Sequence, residues 1–257
     1  MENAASPLSR ELHQKALVLP SILAHLNELK PIFNEDFSVK IPEEIAAYFP
    51  QTSSSLICFE QDAKNPKIKE PIIVGVLFSG GPAPGGHNVI LGLYEALKRF
   101  HPDSRLIGFL NGPKGVILNM WKEITQELAL NYKNEGGFDL IGSGRDKIEN
   151  ERDLEFAKST ALSENLDGLV IIGGDDSNTN AAILSQYFAE NQVPCSVVGV
   201  PKTIDGDLKN RHIEISFGFD TAAKMYAQTV GNLARDALSA KKYYFFVKIM
   251  GRSASHL

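Results

Sequence analysis

The sequence has few of the features that build disulfide scaffolds, metal sites or membrane spans. It contains two cysteines among 257 residues, Cys58 and Cys195, and their separation matches no metal-binding or redox motif. No pair of its six histidines has the spacing of metal ligands. No apolar stretch approaches the roughly 20 residues that a membrane-spanning helix needs. The N-terminus lacks the basic start and apolar core of a signal peptide, so we expect a cytoplasmic protein without a membrane partner.

An excess of positive charge is also missing. The chain has 26 lysines and arginines against 31 acidic residues, a net charge of −5. Nucleic-acid-binding proteins usually carry a basic face, so we expect no nucleic-acid partner. A basic pocket for one phosphorylated ligand is still compatible with this balance, because net charge says little about a single cleft. The length allows one large domain, or one domain and part of another.

The organisation of the chain changes near residue 70. Residues 1–70 contain helix-like pieces at Leu17–Leu29 and Pro42–Ala47, divided by prolines and polar runs. We predict that they form a helical N-terminal extension that packs on the main domain. From Pro71 onwards, short apolar runs alternate with stretches of helical pattern.

The alternating part of the chain predicts an α/β fold. Buried parallel strands are expected at Ile72–Phe78, Leu106–Leu110, Leu169–Ile172 and Val197–Val200. Helices are expected at Val89–Phe100, Val116–Tyr132, Glu151–Asn165, Asn178–Asn191 and Asp220–Ala240, and a last strand at Tyr243–Met250. The pattern is that of a doubly wound, mainly parallel sheet, in which ligands bind beyond the carboxyl ends of the strands.

Two glycine turns have the composition of phosphate-binding loops. Residues 80–86 contain four glycines and two prolines between a strand and a helix, where backbone N–H groups and the helix N-terminus favour an anion. The turn is neither a Walker loop nor a dinucleotide fingerprint, and a simple tight turn is the alternative. In the second turn, residues 142–146, Arg145 has the geometry to clamp a phosphate with two hydrogen bonds. The alternative interpretation is that Arg145 lies on the surface and forms an ion pair with a neighbouring acidic residue.

Two further turns contain the acidic residues. Asp175 and Asp176 follow Gly173-Gly174, and adjacent carboxylates repel each other unless a cation neutralises them. Mg²⁺ fits this arrangement because it is usually held by one or two carboxylates together with substrate phosphates. Helix capping by one Asp is the alternative. The second turn, residues 201–207, adds a lysine, a hydroxyl and two carboxylates, the groups that phosphoryl transfer requires.

In their order, these motifs resemble the phosphofructokinase family. The motifs are Ser-Gly-Gly-x-x-Pro-Gly, Gly-Gly-Asp-x-Ser, Pro-x-Thr-Ile-Asp-x-Asp and Met-Gly-Arg, and the similarity runs from about Val74 to Leu257. ATP-dependent members have glycine where this chain has Asp176 and Lys202. The resemblance therefore implies the pyrophosphate-dependent branch. There the Asp176 carboxylate would occupy the place of a nucleotide's α-phosphate, and Lys202 would put a compact cation beside the remaining phosphates.

The resemblance also implies a role for individual residues. Asp205, Lys202 and Asp176 would be catalytic, with Asp205 as the general base that takes the proton of the sugar 1-hydroxyl. Gly80, Gly81 and Arg145 would bind diphosphate, and Asp175 would bind Mg²⁺. The residues implied to contact the sugar phosphate are Thr203, Ile204, Asp205, Asp207, Lys242, Tyr243, Met250, Gly251 and Arg252. Among these, Lys242 and Tyr243 would reach the site of a neighbouring subunit.

The implied protein is a glycolytic transferase that reversibly converts fructose 6-phosphate and pyrophosphate into fructose 1,6-bisphosphate and phosphate. Residues 71–215 would form the pyrophosphate and magnesium domain, and residues 216–257 would begin a sugar-phosphate domain that is incomplete here. A homodimer or larger homo-oligomer is expected. The alternative proteins are a non-catalytic regulatory subunit, an ATP-dependent phosphofructokinase, and another kinase with the Gly-Gly-Asp turn such as an NAD kinase. Sedoheptulose 7-phosphate is the alternative acceptor.

Overall fold

The computed structural model describes residues 11, 14, 28–33, 41–53, 57–61, 70–210, 213–249, 251 and 255–257. Its strands are β1 (Leu29–Phe33), β2 (Ile57–Gln61), β3 (Ile73–Ser79), β4 (Arg105–Phe109), β5 (Trp121–Glu123), β6 (Ser143–Gly144), β7 (Gly168–Gly173), β8 (Ser196–Thr203) and β9 (Phe217–Gly218). Its helices are α1 (Glu43–Ala46), α2 (Gly86–Phe100), α3 (Pro113–Ile117), α4 (Gln126–Asn131), α5 (Glu151–Ser163), α6 (Asp175–Glu190) and α7 (Phe219–Ala240).

A seven-stranded sheet organises the main domain. Its strand order is β5-β4-β3-β7-β8-β9, and β6 pairs with the end of β3. All of these pairs are parallel except the antiparallel pair of β4 and β5. Parallel neighbours need a crossover connection, which the intervening helices supply among β3, β4, β7 and β8. This arrangement confirms the predicted mainly parallel α/β fold.

Both faces of the sheet are buried at β3, β4 and β7, which explains why these strands are continuous apolar runs. Successive residues of β3 point to opposite faces: Val76 and Phe78 belong to one core cluster and Leu77 to the other. The first cluster includes residues of α2, such as Ile90, and the second includes residues of α6, such as Leu184. The sheet is therefore a rigid platform between two layers of helices.

The predicted helix over Val116–Tyr132 is wrong. The structure breaks this segment into α3, the edge strand β5 and α4. Asn119 adopts a left-handed conformation, φ 51°, which a continuous right-handed helix does not contain. Trp121 then pairs with Phe109 of β4, and the Thr125 side chain caps α4 by accepting a hydrogen bond from the Leu128 amide.

The N-terminal extension differs from its expected helical character where it is described. Strands β1 and β2 form an antiparallel pair, and α1 is only four residues long. The predicted helix at Leu17–Leu29 lies outside the described residues except at its C-terminal end, where Leu29 begins β1. The short helix α1 agrees with the prediction over Pro42–Ala47.

The chain after α7 also departs from the prediction. Residues 243–249 form no regular secondary structure and pair with no strand of the described chain, so the predicted strand at Tyr243–Met250 is not formed over its described part. A strand needs a neighbour for its backbone hydrogen bonds, and this segment has none among the described residues. Tyr244 and Phe246 are 80% and 94% exposed. No helix in the described part of the chain is long and apolar enough to cross a membrane.

Candidate active site

The carboxyl ends of three neighbouring strands open into one cleft. Because β3, β7 and β8 are adjacent and parallel, their last residues, Ser79, Gly173 and Thr203, lie along the same edge of the sheet. The cleft has a volume of about 530 Å³. Its lining comes from residues 79–82, 145–147, 174–177, 180, 202–205 and 251. The turns that the sequence marks as candidates therefore converge.

The first glycine turn is held in place by the second. The Gly80 amide donates to the Gly144 carbonyl at 2.8 Å, and the Ser143 hydroxyl donates to the Gly80 carbonyl at 2.7 Å. Gly80 has a φ of 85°, a conformation that glycine adopts without steric cost. A Cβ there would also lie 3.6 Å from the Lys202 ammonium. Gly80 thus brings backbone close to a buried cation.

The acidic turn forms the start of α6. Gly174 is the N-cap, and Asp175 and Asp176 occupy the first helical turn, where the helix dipole favours negative charge. The alternative that one aspartate caps the helix is therefore wrong. Both carboxylates are solvent-exposed and line the cleft.

Ser177 ties this helix start to β3. Its buried hydroxyl donates to the Ser79 hydroxyl at 2.8 Å. The approach is so close that a Cβ on Gly173 would lie 2.3 Å from the Ser177 Cβ. The start of α6 is consequently fixed against the first glycine turn.

Lys202 and Asp205 form the floor of the cleft. Lys202 is 9% exposed, and its ammonium donates to the Gly81 carbonyl at 2.7 Å. Asp205 is 8% exposed, and its amide donates to the Thr203 hydroxyl oxygen at 3.0 Å. A Cβ on Gly251 would lie 3.3 Å from Asp205 Oδ1, so a side chain at position 251 would crowd this buried carboxylate.

Most of the predicted site residues meet in this cleft. Those that line it are Gly80, Gly81, Arg145, Asp175, Asp176, Lys202, Thr203, Ile204, Asp205 and Gly251. Asp207 does not line the cleft, and Lys242 and Tyr243 are exposed beyond the end of α7. Met250 and Arg252 lie outside the described residues. The roles given to all of these residues are still predictions.

Sequence reasoning overlooked two residues of the cleft, Lys147 and Asn180. Lys147 is two residues beyond Arg145, where a loop can present both side chains on one side. Asn180 is four residues beyond Asp176, and residues at this spacing share one face of a helix. This helical spacing from Asp176 is the sequence signal that could have identified Asn180.

Behind the first glycine turn, His87 is buried and holds a loop. Its Nδ1 lies 3.2 Å from the Glu135 carbonyl, and its Nε2 accepts from the Leu140 amide at 3.3 Å. Burial lowers the pKa of His87, while Asp139, 3.5 Å from Nε2, opposes that shift. Cys195 is also buried, which raises the pKa of its thiol to about 12, so this cysteine packs as a small apolar residue.

The charges of the cleft favour a metal-bound polyanion over a free one. Arg145, Lys147 and Lys202 face four carboxylates, those of residues 146, 175, 176 and 205. The described residues contain no cluster of three or more His, Cys, Asp or Glu that would hold a metal alone. Mg²⁺ normally takes one or two carboxylates and completes its shell with phosphate oxygens and water. The adjacent Asp175 and Asp176 fit that demand.

Glycine turns, an acidic helix start and a buried lysine at one edge of a doubly wound sheet define a phosphate-binding α/β domain. The chain belongs to the phosphofructokinase family, whose family model matches residues 73–257. This confirms the resemblance carried by the motifs.

Individual relatives of this chain carry the name of the pyrophosphate-dependent branch of the family. The chain is 52% identical over 221 residues to the pyrophosphate–fructose 6-phosphate 1-phosphotransferase of Porphyromonas gingivalis, covering 86% of this chain and 40% of that protein. It is 59% identical over 184 residues to the protein of the same name from Treponema pallidum, covering 72% of this chain and 32% of that protein. The chain thus spans less than half the length of these curated relatives.

Solved structures agree at the level of the fold. The pyrophosphate-dependent phosphofructokinase of Nitrosospira multiformis superposes with a TM-score of 0.60 at 22% identity, covering 66% of this chain and 43% of that one. The corresponding protein of Marinobacter aquaeolei gives 0.59 at 22% identity, covering 65% and 42%. The doubly wound sheet is therefore the phosphofructokinase fold.

Proposed function

We propose that this chain provides the phosphoryl-donor site of a diphosphate-dependent 6-phosphofructokinase. The reaction transfers a phosphoryl group from pyrophosphate to O1 of fructose 6-phosphate and yields fructose 1,6-bisphosphate and phosphate. The observation that carries the proposal is that Asp176 and Lys202 line the same cleft as Asp175 and Asp205. The printed names of the two bacterial relatives support the same donor and acceptor.

Donor binding relies on the two glycine turns and their cations. Backbone groups of Gly80 and Gly81 approach the diphosphate closely because these residues have no side chain. Arg145, exposed at the mouth of the cleft, pairs with phosphate oxygens through its planar guanidinium. Asp175, with Asp176 beside it, holds Mg²⁺, which when bound neutralises phosphate charge.

Transfer to the sugar requires one base and one fixed cation. Asp205 accepts the proton of the sugar 1-hydroxyl as the bond from O1 to phosphorus forms and the bridging P–O bond of the diphosphate breaks. The electron pair of the broken bond leaves with phosphate. Lys202, held at the Gly81 carbonyl, stabilises the charge on the transferring group. Because the donor is pyrophosphate and not ATP, we expect the reaction to be readily reversible.

Donor choice rests on Asp176 and Lys202. An exposed carboxylate at position 176 repels the additional phosphate of a nucleotide, while a compact diphosphate avoids it. Lys202 supplies the cation that favours the short donor. Exclusion of ATP is therefore partly electrostatic.

The remaining assignments extend this proposal beyond the cleft. Residues 71–215 form the diphosphate and Mg²⁺ domain, and residues 216–257 begin the sugar-phosphate domain. Lys242 and Tyr243 are exposed, as contact with a neighbouring subunit's site in a homodimer or larger homo-oligomer requires. Thr203, Ile204, Asp207, Met250, Gly251 and Arg252 act on the sugar-phosphate side. The substrates are small molecules of the cytoplasm.

A donor and acceptor panel on the intact protein tests the proposal. With Mg²⁺, we expect fructose 6-phosphate to be phosphorylated from pyrophosphate and not from ATP, and we expect the reverse reaction from fructose 1,6-bisphosphate and phosphate. A rate with ATP equal to that with pyrophosphate would overturn the donor assignment. A faster rate with sedoheptulose 7-phosphate would overturn the acceptor assignment.

Two variant proteins test the choice of donor and the chemical step separately. The double substitution Asp176→Gly and Lys202→Gly should reduce the preference for pyrophosphate over ATP at least 100-fold, or about 2.7 kcal/mol. Asp205→Asn keeps the shape of the side chain but removes the base, and should lower kcat by 10²- to 10⁴-fold, roughly the contribution of general-base catalysis. An unchanged kcat in a folded Asp205→Asn protein would exclude this residue as the base.

A further inference from the structure

The basic side of the cleft is a loop with little support of its own. Arg145 and Lys147 lie between β6 and α5 in residues 145–150, which form neither helix nor strand. Both side chains are exposed and line the cleft. The position of these two cations therefore depends on what anchors the backbone of the loop.

The loop is anchored at both ends. At its start, β6 is bound to Gly80 through the hydrogen bonds described above. At its end, Asn180 binds both polar groups of the Ile148 backbone: Asn180 Oδ1 accepts from the Ile148 amide at 3.0 Å, and Nδ2 donates to the Ile148 carbonyl at 2.5 Å. Asn180 is 6% exposed and Ile148 is fully buried. The second anchor is therefore shielded from water in the folded protein.

Only a carboxamide of this length makes both bonds. An aspartate at position 180 still accepts from the Ile148 amide, but it presents an oxygen to the Ile148 carbonyl in place of a donor. An alanine leaves both groups without their partner, and buried polar groups that lose a partner are costly. The loop then relaxes until the two groups find other partners or water.

Asn180 also belongs to the helix that presents the acidic residues. It lies on α6, one turn after Asp176, so a single rigid element carries the acidic side of the cleft and the anchor of the basic side. Displacement of the loop would change the distance from Arg145 to Asp175 and Asp176. A bound diphosphate has to contact both sides at once.

We propose that Asn180 is a positioning residue for donor binding: it fixes Ile148 and thereby holds Arg145 and Lys147 opposite the acidic start of α6. The identity of the anion as diphosphate rests on the proposed function. Asn180 itself does not act on the reacting atoms, so its loss affects donor affinity before it affects the chemical step.

The test compares Asn180→Ala with Thr160→Val in the intact protein. Thr160 on α5 is a matched control, because it is 3% exposed and also donates to a backbone carbonyl, that of Val116 at 2.7 Å. We expect Asn180→Ala to raise KM for pyrophosphate about tenfold, equivalent to about 1.4 kcal/mol. Its kcat and its KM for fructose 6-phosphate should change less than twofold. Thr160→Val should change none of the three. Asn180→Asp keeps one of the two bonds and serves if the alanine variant does not fold.

A double variant distinguishes positioning from general destabilisation. If Asn180 acts through the position of Arg145 in the loop of residues 145–150, the effects of the two substitutions should not be additive. In an Arg145→Ala background, Asn180→Ala should then raise KM for pyrophosphate no more than twofold further. Full multiplication of the two effects would overturn the proposal. So would a donor KM in Asn180→Ala and Asn180→Asp equal to that of Thr160→Val.

Hydrogen exchange separates failure of this inference from failure of the proposed function. The amide of Ile148 should exchange at least tenfold faster in Asn180→Ala than in the wild type, while the amides of β7 stay protected. Absence of pyrophosphate binding in the wild type would refute the proposed function and not this exchange result. Unchanged exchange at Ile148 would refute the anchoring itself.

Discussion

The role of Lys202 can be tested by replacing it with methionine, which keeps an unbranched side chain but removes the ammonium. The change leaves the Gly81 carbonyl without the donor at 2.7 Å, and a buried acceptor that loses its partner costs about 1–3 kcal/mol. Gly81 is only half-buried, so water recovers part of that loss. Removal of a buried charge also relieves a desolvation penalty. We therefore expect the free energy of unfolding to change by no more than about 1 kcal/mol.

The expected effect on catalysis is much larger than this effect on stability. A pre-organised group that stabilises transition-state charge contributes about 2.7–4 kcal/mol, so kcat should fall about 10²- to 10³-fold. The assay is the rate of fructose 1,6-bisphosphate formation from pyrophosphate, measured beside a urea unfolding curve of the same preparation. Lys147→Met is the comparison, because Lys147 lies in the same cleft but its side chain is 49% exposed and close to Glu149. Its loss should cost less than tenfold, since solvent screens an exposed charge.

Two results would refute this account of Lys202. One is a folded Lys202→Met protein whose kcat falls no further than that of Lys147→Met, which would make the buried ammonium a structural tether only. The other is a loss of activity that parallels a loss of several kcal/mol in stability, which would assign the same tether to folding. Either outcome removes Lys202 from the chemistry.

Two further predictions concern stability around the first glycine turn. Gly86→Ala should destabilise the protein by about 1–3 kcal/mol in urea unfolding, because its Cβ would lie 2.2 Å from the Phe138 ring. Gly92→Ala in the same helix should be neutral or stabilise by up to about 1 kcal/mol, since no described atom lies within 4 Å of its Cβ; equal losses would contradict the packing argument. Burial lowers the pKa of His87 below its ordinary value of 6.5, so the unfolded chain takes up this proton first and stability is lost as the pH falls below about 6.5. His87→Gln should therefore lose less stability than the wild type between pH 7.5 and 5.5, and an equal loss would exclude His87 as a source of acid sensitivity.

The positions of the central strands and their turns could be predicted, because a strand that is buried on both faces has a continuous apolar sequence. The run Ile72–Phe78 predicts β3 within one residue at each end, since nearly every position of that strand must be apolar. The turns follow from the same reasoning, because parallel strands bring their carboxyl ends together. Convergence of Asp175, Lys202 and Asp205 in one cleft was therefore predictable before any distance was known.

Other features depend on contacts that no local pattern contains. Apolar spacing over Val116–Tyr132 suits a helix, but pairing of Trp121 with β4 outweighs that preference. The bond from Lys202 to the Gly81 carbonyl spans 121 residues of sequence, and the anchor from Asn180 to Ile148 spans 32. Such pairs are fixed by the packing of the sheet and its helices.

The motif around Gly173 and Ser177 combines tightly packed positions with one exposed position. A side chain at position 173 would collide with Ser177, whose hydroxyl is in turn bound to Ser79, so these positions tolerate little change. Asp176 lies between them but is exposed, and exposed substitutions usually alter stability by less than about 0.5 kcal/mol. Evolution can therefore exchange the charge at position 176 without repacking the frame around it. Under the donor role proposed for Asp176, a family built on this frame can change its phosphoryl donor while the frame itself stays recognisable.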